Sequence, residues 1–169
     1  EGIALKGGEI LGSDYSLGAL VLEDVETGQS ERMVAFYAHG AYGVEVAVNV
    51  ETGEVKILRA VGAFDSGTII NPKMAEGQIE GGFVQGVSIA LGEQMVMENG
   101  VVVNPTFMDY KMLSSTELPT NEKVKVILVG ASHPEGPFGA KGLGEGTLVP
   151  LAPAIANAIY DATGIRIRD

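Results

Sequence analysis

A stretch of eleven residues, GPFGAKGLGEG at positions 136–146, combines five glycines with only two ionisable side chains, Lys141 and Glu145. Glycine-rich loops that lead into helices are typical phosphate sites, because their backbone N–H groups converge on the anion. A Walker loop requires Ser or Thr directly after its lysine, whereas Gly142 follows Lys141, and the GxGxxG dinucleotide fingerprint is absent. The pattern therefore disfavours a phosphate site.

Two interpretations of this loop remain open from its residues alone. In the first, it is a surface loop and Glu145 is a solvated side chain. In the second, the glycines let the backbone approach a bulky centre, and Glu145 is a positioned proton acceptor near the start of a helix.

A second unusual pattern is GQIEGGFVQG at positions 77–86, which places Gln78 and Gln85 on one helical face. Each glycine inside a helix costs about 1 kcal/mol relative to alanine. The glycines indicate either a neighbouring element that packs very close, or a flat ligand on the bare backbone with the amide of Gln78 as donor and acceptor. The glycines of this pattern are Gly77, Gly81, Gly82 and Gly86.

Two helices are predicted, over residues about 72–92 and 150–163. Asn71 followed by Pro72 supplies an N-cap and a preset first turn for the first helix, and Gly164 is the expected stop of the second. Both segments repeat apolar residues every fourth position, which is typical of one buried helical face. These residues are Ile79, Phe83, Val87 and Leu91 in the first helix, and Leu151, Ile155 and Ile159 in the second.

Alternating apolar residues and turn signals predict the strands. We therefore expect an α+β fold, with a mixed or antiparallel sheet and two main helices, in which residues 1–169 form a single domain. The predicted strands are a hairpin over residues 44–60 around Thr52-Gly53, a second hairpin around Asn99-Gly100, and single strands at 124–130, 15–25 and 31–40.

The composition excludes several classes of function. A net charge of −11 argues against nucleic acid as a partner, because phosphate backbones require a basic surface. The apolar stretch at 147–160 contains two prolines and is shorter than the roughly 20 residues of a membrane span, and the first residues do not resemble a signal peptide. We expect a cytoplasmic protein. With no cysteine, the chain cannot ligate an iron–sulfur cluster through thiolates.

Five motifs together resemble the C-terminal part of the molybdenum-binding subunit of the xanthine dehydrogenase and aldehyde oxidase family. The resemblance covers nearly the whole chain beyond about residue 40 and implies the second half of the family's molybdopterin-binding domain. The motifs occur in the family's order: AFDSGTIINP at 63–72, GQIEGGFVQG at 77–86, NPTFMDYKM at 104–112, GPFGAKGLGEG at 136–146 and APAIANAIYDATG at 152–164.

The resemblance implies a specific activity. Family members hydroxylate a carbon of an N-heterocycle, such as a purine, or of an aldehyde, and water supplies the oxygen. The family's catalytic glutamate falls on Glu145, which would remove a proton from a metal-bound hydroxide. Gln78 would contact the pterin of the molybdenum cofactor, with Gly142 and Gly144 as further cofactor contacts and no metal ligand in this chain.

The family also implies partners. Electrons would leave through [2Fe–2S] centres to FAD on other subunits, and an oligomeric assembly is expected. The chain departs from the family at Gly146, where proline usually follows the glutamate, and it lacks the segments that grip the cofactor's phosphate and sandwich the substrate. It is therefore expected to be a fragment or split subunit, inactive when isolated. The alternative is a noncatalytic domain that folds and self-associates without cofactor.

Overall fold

The computed structural model describes residues 23–168, apart from residues 33 and 35. Within this range the chain forms a small sheet, a separate short hairpin and two helices, and the α+β class expected from the sequence is confirmed. The elements are β1 His39–Val48, β2 Val55–Asp65, α1 Pro72–Leu91, β3 Met97–Glu98, β4 Val101–Val102, β5 Val124–Val129 and α2 Leu151–Thr163, with 3₁₀ turns at Asn121–Lys123, Pro137–Gly139 and Glu145–Thr147.

The main sheet is mixed and has the strand order β1-β2-β5. The strands β1 and β2 form the predicted antiparallel hairpin, and its turn uses Gly53 at a φ of 76°. Strand β5 pairs with β2 in parallel, from Ala60 beside Val124 to Asp65 beside Val129. Because parallel strands end at the same edge of a sheet, the segments that follow β2 and β5 start side by side.

Both predicted helices are confirmed, and their ends lie within one residue of the predicted ends. The Asn71 side chain accepts a hydrogen bond from the N–H of Met74 at 3.1 Å, which caps the first turn of α1. Helix α2 ends at Gly164, whose φ of 75° reverses the chain and whose N–H donates to the carbonyl of Tyr160 at 2.7 Å. Among the residues that the structure describes, no helix combines the length and apolarity that crossing a membrane requires.

The core lies between the two helices and β2. The predicted apolar face of α1 is buried at Ile79, Phe83 and Val87, and the face of α2 is buried at its three predicted residues. Tyr42 of β1 adds an edge contact with the ring of Phe64 and a tilted contact with Phe83. The core members are Ile57, Ala60, Phe83, Val87, Leu151, Ile155 and Ile159.

The other strand predictions had mixed outcomes. The short hairpin is confirmed, since Asn99 and Gly100 both have positive φ between β3 and β4. The predicted strand at 31–40 is wrong over its described residues before His39, which form no strand, and only its last two residues belong to β1. This segment instead contacts the residues just before the glycine-rich loop, through an Arg32–Glu135 ion pair and a Phe36–His133 ring contact.

The predicted strand at 15–25 lies mostly outside the described residues. Its last three residues, 23–25, belong to no strand. They enter a turn in which Asp24 accepts a hydrogen bond from the N–H of Thr27 at 2.8 Å.

The four glycines of α1 divide into two pairs with different surroundings. A Cβ added at Gly82 would overlap the side chain of Thr147, and one added at Gly86 would meet the side chain of Leu151 at 2.9 Å. Close packing by the chain that leads into α2 therefore explains this pair. A Cβ at Gly77 or Gly81 would have no neighbour within 4 Å among the described residues, so the backbone there is bare.

This division predicts opposite effects of two matched substitutions on stability. We expect Gly82→Ala to lower the free energy of unfolding by about 1–3 kcal/mol, because the new methyl group overpacks the contact with Thr147. We expect Gly81→Ala to raise it by up to about 1 kcal/mol, because alanine favours the helix and meets nothing. Urea unfolding followed by circular dichroism measures both values, and equal effects of the two changes would contradict this packing.

Candidate functional site

The glycine-rich loop lies along the segment that follows β2. The N–H of Thr68 donates to the carbonyl of Gly139, and the N–H of Lys141 donates to the carbonyl of Ser66, both at 2.8 Å. Gly67 has a φ of 67°, and a Cβ there would overlap the carbonyl of Gly139. Parallel pairing of β2 with β5 thus brings together two segments that are distant in sequence.

An ion pair between Asp65 and Lys141 locks the two segments together. The Lys141 Nζ lies 2.5 Å from Asp65 Oδ2, and only 11% and 9% of the two side chains are exposed. The other carboxylate oxygen of Asp65 accepts the N–H groups of Gly67 at 3.0 Å and Ala131 at 3.2 Å. The hydrogen bond from Lys141 is the main cause that holds the pKa of Asp65 below its ordinary value, and the two N–H groups act in the same direction against burial.

A cavity of about 280 Å³ separates the loop from the first half of α1. Gln78 and Met74 line it from the helix, and Lys141 and Leu143 line it from the loop. Ser66 lines it from the end of β2, and its hydroxyl is buried without a hydrogen-bond partner in the described part of the chain. Buried polar groups are normally paired, so a water or a ligand outside the described chain is the expected partner of this hydroxyl.

The geometry around Gln78 suits the edge of a polar heterocycle. Its exposed side chain lies on α1 next to Gly77 and Gly81, where the backbone is bare. An amide both donates and accepts hydrogen bonds, and the Ser66 hydroxyl supplies another group of the same kind. These residues therefore fit a pterin-like ring.

Glu145 lies outside the lining of this cavity, two residues beyond Leu143. Its side chain is exposed, and it begins the 3₁₀ turn Glu145–Thr147 that leads towards α2. The last residue of this turn, Thr147, packs on Gly82 of α1, one helical turn after Gln78. The structure thus places the Glu145 turn and the Gln78 cavity on neighbouring turns of the same helix.

The two glycines predicted as cofactor contacts are exposed and do not line the cavity. A Cβ at Gly142 would lie 3.0 Å from the Phe36 ring, whereas one at Gly144 would meet nothing within 4 Å in the described chain. Their role as cofactor contacts stays a prediction. Within residues 23–168, leaving aside 33 and 35, no group of three His, Cys, Asp or Glu could hold a metal ion.

Sequence reasoning missed Asp65 and Ser66 and gave no role to Lys141. Asp65 stands in the motif AFDSGTIINP, and Lys141 is the only cation among the glycines, so both residue types were visible. The ion pair between them could not be predicted from the sequence, because 76 positions separate the two residues. The one available signal was a single lysine in a glycine-rich loop, and the nearby Glu145 offered it a local partner as readily as a distant carboxylate.

Comparison with known proteins identifies similar chains. Residues 13–119 match the family of molybdopterin cofactor-binding domains. The chain is 40% identical over 132 residues to a putative xanthine dehydrogenase molybdenum-binding subunit of Escherichia coli K12, covering 77% of this chain and 17% of that protein. It is 35% identical over 150 residues to an aldehyde oxidoreductase molybdenum-binding subunit of the same organism, covering 87% of this chain. The chain spans only 17% to 20% of the length of these relatives.

Solved structures share the fold. CO dehydrogenase from Oligotropha carboxidovorans matches with a TM-score of 0.70 at 32% identity, over 80% of this chain and 16% of that one. The aldehyde oxidoreductase from Desulfovibrio desulfuricans matches with a TM-score of 0.68 at 34% identity, over 77% of this chain and 14% of that one. Both similarities confirm the α+β fold that the sequence predicts.

The lowered pKa of Asp65 makes the stability of the fold depend on pH. The folded-state pKa lies below the unfolded value of about 3.9. The pair therefore stabilises the fold above that pH, and this contribution is lost as the pH falls through the folded-state pKa. We expect Asp65→Asn to lower the free energy of unfolding by about 3–5 kcal/mol at pH 7, because it leaves the ammonium of Lys141 buried and unpaired.

Below about pH 4 the difference between wild type and this variant should shrink. Urea unfolding at pH 7, 5 and 3 measures it. The control is Glu45→Gln, which breaks the exposed ion pair with Arg59 and should cost about 0–1 kcal/mol. A loss from Asp65→Asn that stays constant between pH 7 and pH 3 would contradict the assignment.

Proposed function

Because this chain belongs to the molybdenum-binding subunits of the xanthine dehydrogenase and aldehyde oxidase family, we propose that it forms one wall of a molybdenum hydroxylase active site. The substrate class is a carbon of a purine-like N-heterocycle or of an aldehyde, with water as the oxygen source. The observation that carries the proposal is the cavity in which Gln78 faces the loop of Lys141 and Leu143, beside the unpartnered hydroxyl of Ser66.

In this proposal the cavity holds the pterin part of a molybdenum cofactor. The cofactor, when bound, supplies the oxidant of the reaction and acidifies the water that provides the oxygen atom. Gln78 binds the polar edge of the pterin through its amide, and the hydroxyl of Ser66 binds a second polar atom. The bare backbone at Gly77 and Gly81 leaves room for a flat ring along the helix.

Glu145 acts as the general base. A carboxylate can remove a proton from an acidified water if it stands within hydrogen-bond reach. Gly144 and Gly146 flank it, and neither would have a Cβ neighbour within 4 Å among the described residues. Competing side chains are therefore kept away from the one proton acceptor.

The rest of the molybdenum subunit completes the site, and other subunits carry the [2Fe–2S] centres and FAD. The chain has no cysteine for a cluster, and it spans a small part of the relatives that it matches. An affinity that is built from many contacts does not survive the loss of most of them. The chain alone is therefore proposed to retain no cofactor and to lack activity.

The role of Glu145 predicts a specific loss in the assembled enzyme. We expect Glu145→Gln to keep the molybdenum and pterin content near wild type, because the amide has nearly the same shape. Turnover per molybdenum should fall by at least about 10²-fold, since general base catalysis contributes about that much or more. Steady-state kinetics normalised to metal content measures the loss. The control is Glu54→Gln, at an exposed position in the turn between β1 and β2. A variant that keeps more than about a tenth of the activity would exclude this role.

Gln78 predicts the complementary result, a loss of cofactor rather than of rate. We expect Gln78→Ala to lower the molybdenum and pterin content of the purified enzyme more than it slows each loaded site. Gln85→Ala is the matched control, because Gln85 is exposed on the same helix and does not line the cavity. Metal analysis together with pterin fluorescence after oxidation measures the content. Equal cofactor loss in both variants would argue against a pterin contact at Gln78.

A further inference from the structure

The Glu145 segment has little of its own to hold it in place. Residues 142–146 include three glycines, and glycine loses more backbone entropy on ordering than any other residue. The Glu145 side chain is exposed. A base in such a segment is aligned only if the two ends of the segment are fixed by other parts of the chain.

The first fixed end is Lys141. Its ammonium forms the buried ion pair with Asp65, and its N–H donates to the carbonyl of Ser66. Asp65 is itself held by the N–H groups of Gly67 and Ala131. The start of the segment is therefore attached to the C-terminal ends of β2 and β5, where the two strands pair in the main sheet.

The second fixed end is Thr147. This residue is 1% exposed and packs on Gly82, where the absence of a Cβ makes room for its side chain. Its hydroxyl donates to the carbonyl of Gly144 at 2.9 Å, and its N–H lies 3.2 Å from the same oxygen. The end of the segment is therefore attached to α1.

We propose that these two attachments form a clamp that positions Glu145: the Asp65–Lys141 ion pair before it and, after it, Thr147, which packs on Gly82 and whose hydroxyl donates to the carbonyl of Gly144. The inference rests on the proposed function, since it assumes that Glu145 is the base. Gly146 stands where the family usually has proline, so the backbone after Glu145 is not preset. The clamp supplies the alignment that a proline would otherwise contribute. Asp65, Lys141 and Thr147 are positioning residues and do not react.

Asp65 and Thr147 are buried, and the clamp residues lie outside the apolar cluster and, apart from Lys141, outside the lining of the cavity. Asp65, Lys141 and Thr147 are not members of the apolar cluster that joins β2 to the two helices. Asp65 and Thr147 also do not line the Gln78 cavity. Changes at these two positions therefore test positioning without removing a cofactor contact.

The test uses the assembled holoenzyme and three variants. Asp65→Asn removes the charge at one end, and Thr147→Val removes the hydroxyl at the other while keeping a branched side chain. Lys141→Arg retains a cation for Asp65, so this variant should keep most of the wild-type exchange protection and turnover. Arg59→Met, which breaks the exposed pair with Glu45, is the matched control.

The first readout is amide hydrogen exchange, which does not depend on activity. We expect Asp65→Asn to speed exchange at the Lys141 amide, and Thr147→Val to speed it at the Thr147 and Leu148 amides, by about tenfold relative to α2, because the hydrogen bonds of these amides open locally. Asp65→Asn also lowers the global stability, so each rate is compared with the rate of α2 in the same variant. Unchanged protection of these amides relative to α2 in both variants would overturn the clamp.

The second readout separates alignment from binding. We expect kcat per molybdenum to fall by about 10- to 100-fold in both variants, since small misplacements of a catalytic group have effects of this size. The KM should change less than kcat. A lower kcat without faster exchange at the Lys141, Thr147 and Leu148 amides would also overturn the proposal.

Glu145→Gln in the same series separates the proposal that Glu145 is the general base from the proposal that the clamp orders its segment. If it keeps its activity, the proposed role of Glu145 fails, whereas the exchange data still decide whether the clamp orders the segment. If Asp65→Asn does not fold, Thr147→Val decides the outcome, because its change preserves the volume of the side chain.

Discussion

The carboxylate of Asp65 is the point on which the site depends. It lies at the end of β2, beside the end of β5, and collects donors from three parts of the chain: Gly67, Ala131 and Lys141. A buried charge is tolerated only when it is paired and hydrogen-bonded. Satisfying this one carboxylate therefore fixes the segment after β2, the segment after β5 and the glycine-rich loop relative to one another.

Helix α1 is the second organising element. Two of its glycines lie against neighbouring parts of the chain, and the other two leave the helix backbone uncovered within the described chain. On one side, Gly82 and Gly86 admit Thr147 and Leu151 to the helix backbone, so α2 and the turn before it pack close. On the other side, Gly77 and Gly81 leave the backbone bare next to Gln78. Close packing, one of the two interpretations that the sequence allowed, thus accounts for Gly82 and Gly86, whereas the ligand interpretation at Gly77 and Gly81 stays a prediction.

The parts of the fold that the sequence predicted are those with local causes. The cap at Asn71 and the stop at Gly164 act within a few residues, so the ends of both helices were predicted to within one residue. The turn at Gly53 was predicted correctly, but its hairpin extends five residues beyond the predicted range 44–60 at each outer end. The parallel pairing of β2 with β5 had no local signal. The strand prediction at 31–40 failed because contacts with a distant loop, absent from any local pattern, decide the path of that segment.

The candidate site shows the same limit. Glu145 and Gln78 were found through family motifs, and residues alone left their roles open. The Asp65–Lys141 pair and the unpartnered hydroxyl of Ser66 are properties of the folded chain, and neither has a sequence pattern of its own. The cavity itself is visible only when the loop and the helix lie side by side.

The parallel pairing of β2 with β5 also has a consequence for the order of events during synthesis. The partners Asp65 and Lys141 are 76 positions apart, so at ribosomal elongation rates Lys141 is synthesised about 4–15 s after Asp65. During that interval the β1–β2 hairpin and α1 have already emerged, while the edge of β2 that will receive β5 remains open. An open strand edge is a template for pairing with other chains. The site is therefore among the last parts of the domain to form, and the nascent chain is most exposed to misassembly at the edge where the site will later stand.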